Sequence, residues 1–205
     1  MTNREYDEHC EQIMCEFLRK NFYEKYLCDY SYEKVNRRDL QIKGVDVILK
    51  GDDEIYYIDE KAAIRYVGLK TFSLELSFIN KHGNVTTGWL LDESKINDYY
   101  LFVWINELND SEIKDISSIK DVDVALVSKE SILEHLKTLG WTKEKLNEKQ
   151  DRIRHGDTSF GNIKTNGCKF AYSTHLYEQP INILLPKETY IELADVCEHV
   201  IQTKL

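Results

Sequence analysis

Two carboxylates and a lysine stand out in the first third of the chain. Asp46 interrupts the apolar run Gly44-Val45-Asp46-Val47-Ile48-Leu49, and Asp59 interrupts Ile55-Tyr56-Tyr57-Ile58-Asp59-Glu60-Lys61-Ala62. A charge inside an apolar strand is costly unless it is paired or ligates something. Strand residues two apart share a face, so Asp59 and Lys61 point one way and Glu60 the other. Gly51-Asp52-Asp53 is a turn signal. The two runs are therefore expected to pair as a hairpin, with Asp46 opposite or diagonal to Asp59 at about 5–8 Å. Carboxylates that close repel unless a divalent cation sits between them, and oxygen ligands of this kind suit magnesium or manganese. A nearby ammonium at Lys61 can orient or deprotonate an attacking water and offset charge on a phosphate. Those are the parts that hydrolysis of a phosphodiester needs. The bland alternative is a structural ion pair of Asp46 with Lys61 on a solvated sheet face.

Several elements must position these residues. Cys10, Ile13, Met14, Phe17 and Leu18 recur near helical spacing and predict a helix from about Arg4 to Tyr26. The β-branched runs around Asp46 and Asp59 predict two strands. Thr71 to Phe78 alternates, with Phe72, Leu74, Leu76 and Phe78 on one face and Ser73, Glu75 and Ser77 on the other. His82-Gly83-Asn84 turns into Val85 to Leu91, and Tyr99 to Ile105 and Val122 to Val127 read as further strands. Ser131 to Leu139 and Thr142 to Arg154 predict helices separated by Gly140. Phe170 to Ser173 and Ile181 to Leu185 predict short strands, and Pro186 opens a closing helix over Lys187 to Ile201. The order predicts a mixed α/β fold: a single domain over residues 1–205 with a central mixed β-sheet flanked by helices. Residues 1–128 form its core, and residues 129–205 add a helical and β-β-α extension.

Composition agrees with an ordinary soluble protein. The chain has 205 residues, 42% hydrophobic and 31% charged, with only two prolines, no repeat and no linker-like stretch, so one domain is the economical reading. The opening Met1-Thr2-Asn3-Arg4-Glu5 is charged rather than apolar, and Tyr99 to Ile105 is far too short for the ~20 residues that cross a bilayer. Five cysteines, an odd number with no Cys-x-x-Cys, argue against a disulfide framework or a zinc site. A cytoplasmic location is expected, with no membrane partner. The net charge of -9 does not advertise a nucleic-acid binder. Bases nevertheless gather locally, at Lys34, Arg37, Arg38 and Lys43, at Lys61, Arg65 and Lys70, and from Lys143 to Arg154.

The arrangement Asp46-x12-Asp59-Glu60-Lys61 resembles the signature of the PD-(D/E)XK nuclease superfamily, which includes restriction endonucleases and Holliday-junction resolvases. The likeness covers roughly the first half of the chain, with a helix followed by hairpin strands carrying Gly-Val-Asp and Ile-Asp-Glu-Lys. Residue 45 is Val where the family name has Pro. The resemblance implies a restriction-endonuclease-like core. It further implies a magnesium- or manganese-dependent endonuclease acting on double-stranded DNA, with Asp46 and Asp59 as metal ligands, the backbone carbonyl of Glu60 as a third and Lys61 as catalytic lysine. Thr71 to Leu76, Gly88 to Asp92 and Asp98 to Phe102 look similar to a little-characterised phage or mobile-element subgroup.

Other residues carry weaker signals. Glu75 is a candidate further carboxylate for the metal, against a plain solvated strand residue. Glu11 or Glu16 completes the site in some relatives, although an amphipathic helix has many acids. Arg37, Arg38, Lys43 and Arg65 flank the site and are candidate phosphate contacts. The helix Lys143 to Arg154 could face DNA, but its interleaved acids suggest i,i+4 pairing on an exposed surface. The three tryptophans read as core and His155 as a loop residue. Two further readings compete with the endonuclease: a catalytically silent module of the same fold that binds DNA or a protein partner, and an interaction or toxin–antitoxin-like protein with a fortuitous motif. Double-strand cutting by one site per chain would favour a homodimer.

Overall fold

In the computed structural model the described residues are 3–157, 164–165 and 167–202, so Met1 and Thr2 of the charged opening segment lie outside them. The chain begins with α1 (Asn3–Leu18), a π-helical turn (Arg19–Tyr23), α2 (Glu24–Tyr26), β1 (Ser31–Lys34), α3 (Arg38–Ile42), β2 (Val47–Lys50) and β3 (Ile55–Val67). Next come β4 (Thr71–Ile79), β5 (Val85–Thr87), β6 (Tyr99–Leu108), a 3-10 turn (Ile116–Ser118) and β7 (Ile119–Ser128). The rest is α4 (Lys129–Thr138), α5 (Lys143–Arg154), β8 (Lys164–Thr165), β9 (Cys168–Tyr172), β10 (Ile181–Pro186), α6 (Lys187–Leu193) and β11 (Val196–Ile201). Contacts divide the chain into two compact units: Met1–Leu69, Ile96–Lys129 and Leu193–Leu205 in the first, Lys70–Lys95 and Glu130–Glu192 in the second.

The first unit holds the mixed sheet, ordered β1-β2-β3-β6-β7-β11. Its β3–β6 pair is parallel and its other neighbours are antiparallel. Side-chain alternation sorts the strands into two faces. Val47, Leu49, Ile58, Leu101, Val103, Ile105, Val122, Val124, Leu126 and Val200 share one core with Cys10, Ile13, Met14, Phe17 and Leu18 of α1. Near the β1 edge, Val35, Val45 and Ile48 form a separate small cluster with Leu40 and Tyr57 against them. The expected long N-terminal helix is present to Tyr26, with a π-helical turn at Arg19–Tyr23 that buries Asn21, Phe22 and Tyr23.

The second unit is built on an antiparallel sheet ordered β5-β4-β10-β9-β8. The expected mixed α/β fold with a central mixed sheet is present in the first unit, and the strands of the second unit form an additional sheet. Periodicity identifies β4, β9 and β10 as strands but carries no information on which neighbour takes their backbone hydrogen bonds. Within this unit Gly88 lies against β4: a Cβ there would sit 2.5 Å from the Glu75 carbonyl oxygen. Only a glycine permits that approach.

Three local expectations change. The closing helix over Lys187 to Ile201 stops at Leu193, and Val196–Ile201 becomes β11, paired with β7 from Val196↔Leu126 to Ile201↔Asp121. The β-branched ends of this segment suit a strand, and an unpaired β7 edge offers the backbone partners that outweigh local helical preference. Val85 to Leu91 yields only the short β5 before turning. The strand β1 and the short helix α3 had no clear periodicity and were not anticipated.

Candidate active site

The hairpin from β2 to β3 has the register Val47↔Ile58 to Lys50↔Ile55. Asp46 lies at the bend immediately before β2. Its N–H donates to the Ile58 carbonyl at 2.9 Å, one residue out of the register set by Val47. Asp46 and Val47 thus both address Ile58, the two-against-one count of a β-bulge, which re-aims a side chain where a ladder ends. The Asp46 Oδ2 accepts from the Glu60 backbone N–H at 3.0 Å. Within a strand the N–H and C=O of one residue face the same edge, so the Glu60 carbonyl also faces the Asp46 side.

Asp59 is 3% exposed. The Lys61 Nζ donates to its Oδ1 at 2.5 Å, and the Asp46 carboxylate is near enough to raise the Asp59 pKa. Burial pushes Asp59 up to about 6, Lys61 pulls it back, and Asp46 raises it again. Glu60 points to the opposite face, as the period of two requires, where the buried Tyr23 hydroxyl donates to its Oε1 at 2.9 Å. Burial is the main cause that raises Glu60 to about 7; the Tyr23 bond opposes it and Asp46 adds to it. The structure therefore brings Asp46, Asp59 and Lys61 together and separates the Glu60 side chain from them.

On α1, exposed Glu11 is raised by partial burial first, then by Asp7 and by Asp46, and is lowered by Lys61. Its carboxylate thus falls within the electrostatic range of the pair, whereas Glu16 is held by Lys20 at 2.6 Å. Glu75 is on β4 of the second unit. Two of the basic candidates are engaged by acids: Arg37 with its neighbour Asp39 at 2.7 Å, and Arg65 with Asp7 at 2.7 Å while lying 5.9 Å from the Tyr6 ring centroid. Arg38 and Lys43 are exposed. Among the described residues no group of three or more His, Cys, Asp or Glu side chains converges to hold a metal ion. A cation at Asp46 and Asp59 would draw its further oxygens from the Glu60 carbonyl, substrate and water.

Tyr23 is the site-associated residue that sequence reasoning missed. It reads as one more aromatic on an amphipathic helix, and only the π-helical turn and the packing of α1 on β3 bring it to Glu60. Among the described residues no helix is long and apolar enough to cross a membrane.

No family model matches the chain, and no curated protein matches it. Among solved structures, the chain is similar to restriction endonuclease BglI bound to its DNA recognition sequence, with TM-score 0.37, 8% identity, 98% of this chain and 87% of that one covered. It is also similar to the tetrameric restriction endonuclease SfiI bound to cognate DNA, with TM-score 0.32 and 12% identity over 73% of this chain and 54% of that one.

Proposed function

We propose that the chain is a divalent-metal-dependent nuclease that hydrolyses phosphodiester bonds of double-stranded DNA, with Asp46, Asp59 and Lys61 as its catalytic set. One observation carries this reading. Asp59 is buried beside the bulged strand end that carries Asp46, whose charge adds to the burial penalty, an arrangement that disfavours charge unless a cation or a proton neutralises it. Magnesium or manganese fits the oxygen-only donor set of Asp46, Asp59 and the Glu60 carbonyl. A cation there would supply charge neutralisation on the scissile phosphate. Lys61, on the same strand face, would position the attacking water and offset charge that develops in the transition state. Arg38 and Lys43 are exposed and Arg37 and Arg65 are paired with acids at the surface, and these four are the proposed contacts to the phosphate backbone. Cutting both strands would take two chains, which favours a homodimer.

The test is a set of substitutions assayed with Mg²⁺ or Mn²⁺ on duplex DNA. Lys61→Ala is expected to lower cleavage by about 10² or more, roughly 3 kcal/mol, while metal binding survives. Asp59→Ala should lose both, and Glu60→Gln should keep most activity because only its backbone is used. A Lys61→Ala protein that cuts at the wild-type rate refutes the assignment. The Lys61–Asp59 ion pair and the lack of a third converging carboxylate among the described residues favour a second reading, a silent module that binds DNA or a protein without turnover. In that case metal raises neither stability nor cleavage.

A further inference from the structure

We propose that the second unit carries a binding seat for a phosphate-type oxyanion, built on Arg154. Ser77 on β4 and Tyr172 on β9 are both register partners of Ile181 on β10, so the two side chains share one face of the second sheet. Arg154, in the last turn of α5, reaches that face. Its Nη2 donates to the Ser77 Oγ at 2.8 Å, and its guanidinium carbon lies 5.6 Å from the Tyr172 ring centroid. The Tyr172 hydroxyl is fixed in turn, donating to the Gln179 Oε1 at 3.1 Å. Gln179 sits at φ 41, a left-handed conformation that a non-glycine residue keeps only where its surroundings hold it.

Arg154 is left incomplete by these contacts. Its Nε and Nη1 are buried with no hydrogen-bond partner among the described residues. The guanidinium carries a positive charge and five N–H donors but no acceptor. A ring face offsets part of the desolvation but accepts little from the in-plane N–H groups. A buried charge without its counter-charge is among the costlier arrangements a fold can keep, so the missing partner is an anion. A ligand that completes Arg154 has acceptor oxygens and a negative charge, which a phosphate-type oxyanion supplies. Inorganic phosphate and the monophosphate end of a nucleic-acid strand share this chemistry. The seat stands on its own geometry and does not require the nuclease reading.

The experiment uses the full chain and reads thermal stability in inorganic phosphate against chloride at matched ionic strength. Wild type should gain stability with phosphate, because a ligand that binds only the folded state shifts the equilibrium. Arg154→Met should lose that gain while melting no lower than wild type in chloride, since it removes an uncompensated charge. If Arg154→Met does not fold, Arg154→Lys and Ser77→Ala take its place, each weakening phosphate binding in titration calorimetry by about tenfold or more. A second arm compares oligonucleotides with and without a 5′-phosphate. Tighter binding of the phosphorylated strand, lost in Arg154→Lys, makes the strand end the source. Equal binding of both, with the phosphate response intact, makes free phosphate the source. No phosphate-specific gain in wild type, or an undiminished gain in the Arg154 variants, overturns the proposal.

Discussion

Burial of Asp59 makes a signed prediction about the metal-free protein. Folding raises Asp59 from 3.8 to about 6 and Glu60 from 4.5 to about 7. A group whose pKa rises on folding holds its proton more tightly in the folded state. Stability is then greatest below the unfolded value and is lost as pH climbs through the folded one. For Asp59 the loss runs from about pH 4 to pH 6 and amounts to roughly 3 kcal/mol. At about 2–4 °C per kcal/mol for a chain of this size, that is a fall of roughly 6–12 °C in Tm. Glu60 extends the fall to about pH 7, so the metal-free protein should melt lower at pH 8 than at pH 5. Asp59→Asn keeps the shape and removes the titration, so the fall in its Tm between pH 4 and pH 6 should be much smaller. Mg²⁺ should stabilise wild type more at pH 8 than at pH 5, where bound protons compete with it, and should leave Asp59→Asn nearly unmoved. The assay is thermal unfolding in chelator and in Mg²⁺ across that pH range. A wild-type Tm that is flat or rising from pH 5 to pH 8 in chelator refutes the argument that Asp59 and Glu60 are held in a charge-averse site.

Two further outcomes are open to measurement. Gly88→Ala places a methyl 2.5 Å from the Glu75 carbonyl oxygen and 2.6 Å from its carbon, both backbone atoms that cannot swing away. It should cost about 1–3 kcal/mol in denaturant unfolding, and a neutral result would contradict the close approach. Duplex DNA binding should weaken steeply between low and moderate salt, because affinity must come from a few local bases against a net charge of -9. An affinity that hardly changes would exclude Arg37, Arg38, Lys43 and Arg65 as the phosphate contacts.

How much was legible beforehand follows from which signals are local. The period of two placed Asp59 and Lys61 on one strand face and Glu60 on the other, and the structure pairs Lys61 with Asp59 and Glu60 with Tyr23 accordingly. The turn at Gly51 implied the β2–β3 hairpin, and helical spacing from Cys10 to Leu18 implied the helix that covers it. These features depend on residues a few positions apart, and side-chain sterics decide them without help from the rest of the chain.

What only the tertiary structure decided depends on partners far away in sequence. Residues 196–201 became a strand because β7 presented an open edge, and β4 joined β10 rather than the sheet that contains β3. The bulge at Asp46 turned its carboxylate to the Glu60 N–H, and the π-helical turn delivered Tyr23 to the Glu60 side chain. Arg154 reads in sequence as one more base on a charged helix. Burial against Ser77 and Tyr172 gives it a different standing. The physical reason is common to all of them. A backbone hydrogen bond or a buried charge must be satisfied by whatever the fold brings near, and the sequence holds the demand without naming the supplier.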